Sequence, residues 1–214
     1  DNISVDGNGF TSPIDNFNHR LNRGRGDYDR PHVFNSALVY TLPIGKGRRL
    51  GGNLTGWADS LIGGWDIGLL TMWQSGPVLT YSSGRATGPY TVNTWANYTG
   101  DRNIGSIARK GDGVFFLTPE EIARFSFPAA GEIGSGGRNA FRSPRFFNMD
   151  MSLMKKFRIT ERHTIRFRAE GHNLLNNVNF GAPGNSLVTP ASFGKLSGIV
   201  GNPRIMQLAL RYDF

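Results

Sequence analysis

The chain contains no cysteine. That excludes a disulfide framework and any thiolate metal site. No run of about 18 apolar residues occurs in it, so no helix is long enough in apolar residues to span a bilayer. Charged residues are scarce at 19%, and the helix formers Glu, Lys and Ala are thinly spread. The chain begins at Asp1 with no charged n-region followed by an apolar h-region. The expectation is that a leader has been removed or that an N-terminal part of the protein precedes it.

Catalytic chemistry is absent in the same way. The four histidines, His19, His32, His163 and His172, show no close metal-ligand spacing. Glu120 and Glu121 are adjacent and point apart on a short helix. They suit helix N-terminal charges better than acid–base work. Gly131–Gly137 is glycine-rich, yet lacks the Lys-Ser/Thr of a phosphate loop and any surrounding βαβ unit. No nucleophile–base constellation stands out. The expectation is a non-enzyme without metal or cofactor.

What is present points to strands and turns. There are 29 Gly and 15 Phe, and 12% of residues are aromatic. A net charge of +8 calls for an acidic partner, and nucleic acid or a phosphate-rich lipopolysaccharide surface would serve. Much of the excess is arginine in Gly- and Asn-rich stretches, where the plain reading is a solvated loop surface.

A period of 2 recurs along the chain. Phe34, Leu38, Tyr40 and Leu42 share a face, interrupted by Ser36. Trp65, Ile67, Leu69, Thr71 and Trp73 share another. Phe147, Met149, Met151, Leu153, Phe157 and Ile159 do so with Lys155 as the exception. Ile165, Phe167 and Ala169 alternate with Arg166, Arg168, Glu170 and His172. Met206, Leu208, Leu210, Tyr212 and Phe214 alternate with polar residues to the terminus. Residues 1–31 read as a loop, 32–76 as a strand pair, 77–144 as a long irregular segment, 145–176 as a second pair, 177–201 as a loop and 202–214 as a last strand. Two short helices are expected. One lies at Trp57–Ile62. The other follows the capping box Thr118-Pro119-Glu120-Glu121.

Strands of about 11–13 residues, tilted, match the height of a bilayer's apolar band. Aromatic residues near their ends suit the two interfaces. The opposite face carries a charged row, which a protein core excludes and a hydrated lumen accepts. Connections alternate short and long. The fold class expected is all-β: an antiparallel transmembrane β-barrel segment of about five C-terminal strands with long extracellular loops. Five strands cannot close a bacterial barrel, so the chain is expected to be part of a larger one. A soluble antiparallel sandwich is the competing fold.

The run Arg25-Gly-Asp-Tyr-Asp-Arg-Pro-His-Val-Phe-Asn35, with Tyr40-Thr-Leu-Pro-Ile-Gly45, resembles late barrel strands of TonB-dependent receptors. The Oar-like group, with a carboxypeptidase-regulatory-like N-terminal domain, is the nearest in kind. Gly63-Gly-Trp-Asp-Ile-Gly68, Gln74-Ser-Gly-Pro77, Phe146-Phe-Asn-Met-Asp-Met-Ser-Leu153 and Arg168-Ala-Glu-Gly-His-Asn-Leu-Leu-Asn176 are similar to further pieces of that family. The terminal Arg211-Tyr-Asp-Phe214 looks like the signal read by the barrel-assembly machinery.

The resemblance implies a barrel of twenty-two strands with an N-terminal plug, energised by TonB and importing a scarce small-molecule or peptide ligand, such as a siderophore or oligosaccharide. The sequence departs from the family by having no plug or TonB-contacting segment within it. The partners implied are outer-membrane lipid and lipopolysaccharide, the TonB complex through the plug, and the assembly machinery through the last strand, with no nucleic acid. Trp95, Tyr98, Arg102 and Arg109 are the candidate ligand contacts. Arg166, Arg168, Glu170 and His172 are expected to face the lumen, where an ion-pair ladder with neighbouring strands is favoured over a plug or ligand surface. Met206, Leu208, Leu210, Tyr212 and Phe214 are the candidate assembly signal. The rival readings are an adhesion or structural barrel, and a soluble basic β-domain that binds nucleic acid.

Overall fold

The computed structural model describes residues 5–6, 9–10, 13–15, 17–89, 92–111 and 113–214. The chain separates into two compact units.

The first is built around one antiparallel sheet and comprises Val33–Trp73, Phe147–Val178 and Gly201–Phe214. Its strands are β1 (Val33–Thr41), β2 (Trp65–Gln74), β3 (Phe146–Arg158), β4 (Thr164–His172) and β5 (Ile205–Asp213), in the order β5-β4-β3-β2-β1. Consecutive strands are neighbours throughout, as in a meander. The Leu42 N–H donates to Trp65 O at 2.8 Å and the Ser75 N–H to His32 O at 2.9 Å, so β1 and β2 are antiparallel and paired at both ends. β3 pairs with β4 from Met151↔Gly171 to Arg158↔Thr164, and β4 with β5 from Thr164↔Asp213 to His172↔Ile205. One end of the sheet therefore carries the tight turn at residues 159–163, the connection 42–64 and the chain terminus. We call it the hairpin end.

The register sorts side chains by face, as the period of 2 requires. Leu153, Ala169 and Leu208 fall in one cross-strand row, and Lys155, Phe167 and Leu210 in the next. Ser152, Glu170 and Gln207 form a row on the opposite face. Gly68 lies so close to Ser152 that a Cβ there would run into the hydroxyl. Helix α1 (Gly56–Ile62) sits within the hairpin-end connection, where the sequence suggests a helical turn.

No described apolar side chain of this unit is buried. Leu208 and Leu210 are each 72% exposed. The edge strands β1 and β5 are exposed along nearly their whole length, and among the described residues no pairing joins one edge to the other. An apolar face of this size without protein cover is not a soluble sandwich, which would pack that face against a second sheet.

The second unit comprises Asp1–His32, Gln74–Phe146 and Asn179–Val200. The sequence reading of residues 1–31 as a loop falls partly outside the described residues. Among those described, a 3₁₀ turn spans His19–Asn22. Residues 77–144 read as irregular apart from one helix, α2 (Pro119–Ile122), which is present. The structure adds a set of very short antiparallel pairs. Val78–Leu79 pairs with Phe141–Arg142, Asn97–Tyr98 with Phe125–Ser126, and Gly113–Phe115 with both Ala108–Lys110 and Lys195–Leu196.

These pairs enclose the hydrophobic core of the chain. Leu79, Tyr81, Tyr98, Phe116, Leu117, Phe125, Phe141, Phe193 and Leu196 are buried together. Tyr81 is in contact with Phe125, Phe141 and Phe193 at ring-centroid separations of 4.7, 5.0 and 5.4 Å. Such tilted and edge-on contacts add about 0.5–1.5 kcal/mol per pair to area burial.

Candidate ligand-binding and assembly surfaces

The polar face of the sheet is a linked set of charges. Arg166 Nε meets Asp213 Oδ2 and Arg211 Nε meets Asp213 Oδ1, both at 2.8 Å. Arg166 and Arg211 are directly opposite across β4 and β5. Two like charges in that relation repel, and the shared carboxylate of Asp213 offsets the repulsion. Arg168 pairs with Glu170 two residues along its own strand at 2.5 Å. His172 Nδ1 lies 3.4 Å from Asp150 Oδ2. Asp150 Oδ1 accepts from Asn148 Nδ2 at 2.8 Å and from the Asn173 N–H at 2.9 Å. The four residues Arg166, Arg168, Glu170 and His172 thus share one face, each with an ionic or hydrogen-bonding neighbour there.

The apolar face ends in aromatic rings. Trp65 meets Phe167 edge-on at 6.0 Å. The Tyr212 hydroxyl is 2.6 Å from His163 Nδ1, with the two rings stacked at 5.7 Å. Tyr212 stacks on Phe214 at 5.9 Å. Met206, Leu208 and Leu210 continue the row and are exposed. Lys155, the exception in the apolar pattern of β3, is 5% exposed. Its ammonium turns to the hairpin end and donates to the Gly63 carbonyl.

In the second unit the candidate contacts divide. Tyr98 belongs to the core: it is 8% exposed and its hydroxyl donates to Asp101 O at 2.6 Å. A ring enclosed by Phe125 and Phe141 is a scaffold rather than a surface contact. Trp95 is half-buried, and its backbone N–H donates to Ile133 O at 3.0 Å. Arg102 is exposed and donates from Nη2 to Ser135 O at 3.2 Å; Arg109 is exposed on the strand Ala108–Lys110.

Glu121 has a structural part that supports its reading as a helix N-terminal charge. Its carboxylate accepts from the Thr118 N–H at 2.9 Å and the Gly105 N–H at 3.0 Å, while Thr118 Oγ1 accepts from the Glu121 N–H at 3.2 Å. The Glu120 carboxyl is held below the usual carboxylate range by its own backbone N–H and by the Thr118 hydroxyl.

Sequence reasoning missed the role of Asp27 and Asp29. Asn139 Nδ2 donates to Asp27 Oδ1 at 2.5 Å, Arg138 lies 3.3 Å from the same oxygen, and Arg142 donates to Asp29 Oδ2 at 2.6 Å. The signal available was the acidic pair inside Arg25-Gly-Asp-Tyr-Asp-Arg30, set against the basic stretch 138–145.

Among the described residues no group of His, Asp and Glu could hold a metal ion, and no helix is long and apolar enough to cross a membrane. A family model described as the outer membrane beta barrel domain matches residues 1–207. No curated protein and no solved structure matches the chain. The strands of β1 to β5, 9–13 residues long, have the length that bilayer-crossing strands need, and an uncovered apolar face backed by a charged one is what such a wall presents to lipid and lumen. This chain belongs to the outer membrane beta barrel domain family, and its place is the bacterial outer membrane.

Proposed function

We propose that the chain forms part of the wall, with long extracellular loops, of a ligand-importing outer-membrane receptor of the TonB-dependent type. The observation that carries this reading is the second unit. Segments that a merely structural barrel could leave as simple loops here share an aromatic core, and a rigid platform suits selective capture of a ligand. In this reading the hairpin end faces the periplasm, because short turns occupy that side of outer-membrane barrels. The polar face of β3 to β5 lines the lumen, with Arg166, Arg168, Glu170 and His172 on it. Trp95, Arg102 and Arg109 offer a ring and two guanidinium groups to the ligand. The exposed row Met206 to Phe214 is read by the assembly machinery.

No catalytic step is assigned to the chain. The test is uptake by cells that express the whole gene product. A panel of labelled siderophores, oligosaccharides and peptides is offered to wild-type and deletion strains, with and without a proton uncoupler. Import of one class that needs both the gene and the proton gradient supports the receptor. Surface binding that survives the uncoupler, with no import, makes the chain an adhesin instead.

A further inference from the structure

At the hairpin end, the connection between β1 and β2 and the last residues of β3 border an open cavity of about 470 Å³. Its lining is strongly unbalanced in charge. Lys46, Arg48, Lys155, Lys156 and Arg158 border it, and Asp59 is the one carboxylate among the lining residues described. The Asp59 carboxylate is already engaged, accepting the Lys46 N–H at 2.5 Å.

The wall is built rather than loose. The Gly45 N–H donates to Leu50 O at 2.9 Å and the Gly64 N–H to Ile44 O at 3.3 Å. Gly45 (φ 126°) and Gly63 approach so closely that a Cβ on either would come within 2.9 Å of the other's Cα. Only glycine permits that approach.

Lys155 borders the cavity, with its ammonium held by the Gly63 carbonyl. Its ammonium lies 5.4 Å from the Trp65 ring centre and 5.1 Å from that of Phe157. A lysine with its stem along an apolar face and its head beside aromatic rings marks a membrane–water interface.

Lys46, Arg48, Lys156 and Arg158 are exposed cations beside one occupied carboxylate, while Lys155 is already engaged by the Gly63 carbonyl. An anion that joins the exposed four relieves their mutual repulsion. An arginine fork with several ammonium groups suits the oxygens of a phosphate. We propose that this cavity binds a phosphate group, carried either by an anionic phospholipid headgroup or as free phosphate. The headgroup source rests on the membrane orientation given above; the phosphate chemistry rests on the cavity alone.

The whole gene product, purified from outer membranes, is examined by native mass spectrometry in two arms. In the first it is incorporated into phosphatidylcholine vesicles containing a minor fraction of phosphatidylglycerol. In the second it is held in detergent and titrated with inorganic phosphate. Lys46→Gln/Arg48→Gln is compared with wild type and with Arg20→Gln/Arg23→Gln, which removes equal charge from another segment. Heat-modifiable gel mobility checks that each variant is folded. Retention of phosphatidylglycerol over phosphatidylcholine by at least fivefold, lost in the Lys46/Arg48 variant alone, establishes a lipid headgroup. Phosphate binding with the same dependence on the variants establishes the free ion. Equal behaviour of the two double variants in both arms, or no binding in either, overturns the site. Neither arm depends on import of a ligand, so failure of the uptake test leaves both readable.

Discussion

Arg142 and Asp29, 113 residues apart in the chain, meet side chain to side chain at 2.6 Å. The same guanidinium reaches Gly76 O from Nη1 at 3.2 Å. One arginine thus ties the segment before β1 to the segment after β2. Both partners are about one-third exposed, so solvent screens the pair. Asp29→Ala should cost about 0.5–1 kcal/mol and speed proteolysis of the stretch around residues 25–30. Arg142→Ala should cost more than Asp29→Ala, because it also frees the Gly76 carbonyl. Equal sensitivity of the two variants would show that the carbonyl bond carries no weight.

Tyr81 is fully buried among aromatic rings, and its hydroxyl has no hydrogen-bonding partner among the described residues. Burial, with Glu121 and Tyr98 adding to it, pushes the phenol well above its ordinary range. The folded state therefore holds the proton more tightly than the unfolded chain. This contribution to stability is intact below the unfolded value of about 10 and is lost as pH rises beyond it. Tyr81→Phe should leave neutral-pH stability unchanged or slightly improved and flatten its decline above about pH 10. Thermal unfolding between neutral and alkaline pH measures both. A Tyr81→Phe protein that melts well below wild type at neutral pH would reveal a partner for the hydroxyl.

Thr118 caps α2 and accepts the Glu121 N–H. Thr118→Ala should destabilise the second unit by about 1 kcal/mol. The same change removes a hydroxyl that lowers the Glu120 pKa. The stability linked to Glu120 is present above the unfolded carboxylate value of about 4.3 and is lost as pH falls through the lower folded value. The variant should thus show a weaker acid dependence than wild type. Carboxyl chemical shifts followed through an acid titration would detect an unchanged Glu120 and refute that link.

Asp213 is shared by Arg166 and Arg211. Asp213→Asn leaves two guanidinium groups facing each other across the ladder. The variant should unfold more easily than wild type at low ionic strength, and added salt should narrow the gap by screening the repulsion. Heat modifiability in detergent at two salt concentrations reads this directly. A gap that widens with salt would mean that Asp213 acts through something other than these two arginines.

Much of the sheet was legible because its signal is local. Alternation alone placed Phe34 to Leu42, Trp65 to Trp73, Phe147 to Ile159, Ile165 to Ala169 and Met206 to Phe214 on strands, and the ladders bear out the shared faces of β3, β4 and β5. Thr118-Pro119-Glu120-Glu121 was equally plain, since a cap is written within four residues. The second unit was not legible as such. Leu79 finds Phe141, Tyr98 finds Phe125 and Leu196 finds Val114 through ladders two residues long. A ladder that short has no period to read. The clue available was a density of Tyr and Phe between polar runs, which periodicity does not score. Lys155 broke the pattern of β3 for a reason equally invisible in sequence: the carbonyl it reaches lies 92 residues earlier.

The core of the second unit also fixes an order of events. Phe193 packs on Tyr81 and Phe125, and Lys195–Leu196 completes the ladder begun by Gly113–Phe115. A nascent chain that stops at Val178 already holds the residues of β1 to β4 but lacks the pieces that seal this aromatic cluster. The cluster cannot be completed without residues 193–196, and their distance in sequence from Tyr81 raises the entropic cost of closing it. Without Phe193 and Leu196, Tyr81, Phe125 and Phe141 lack part of the packing that buries them.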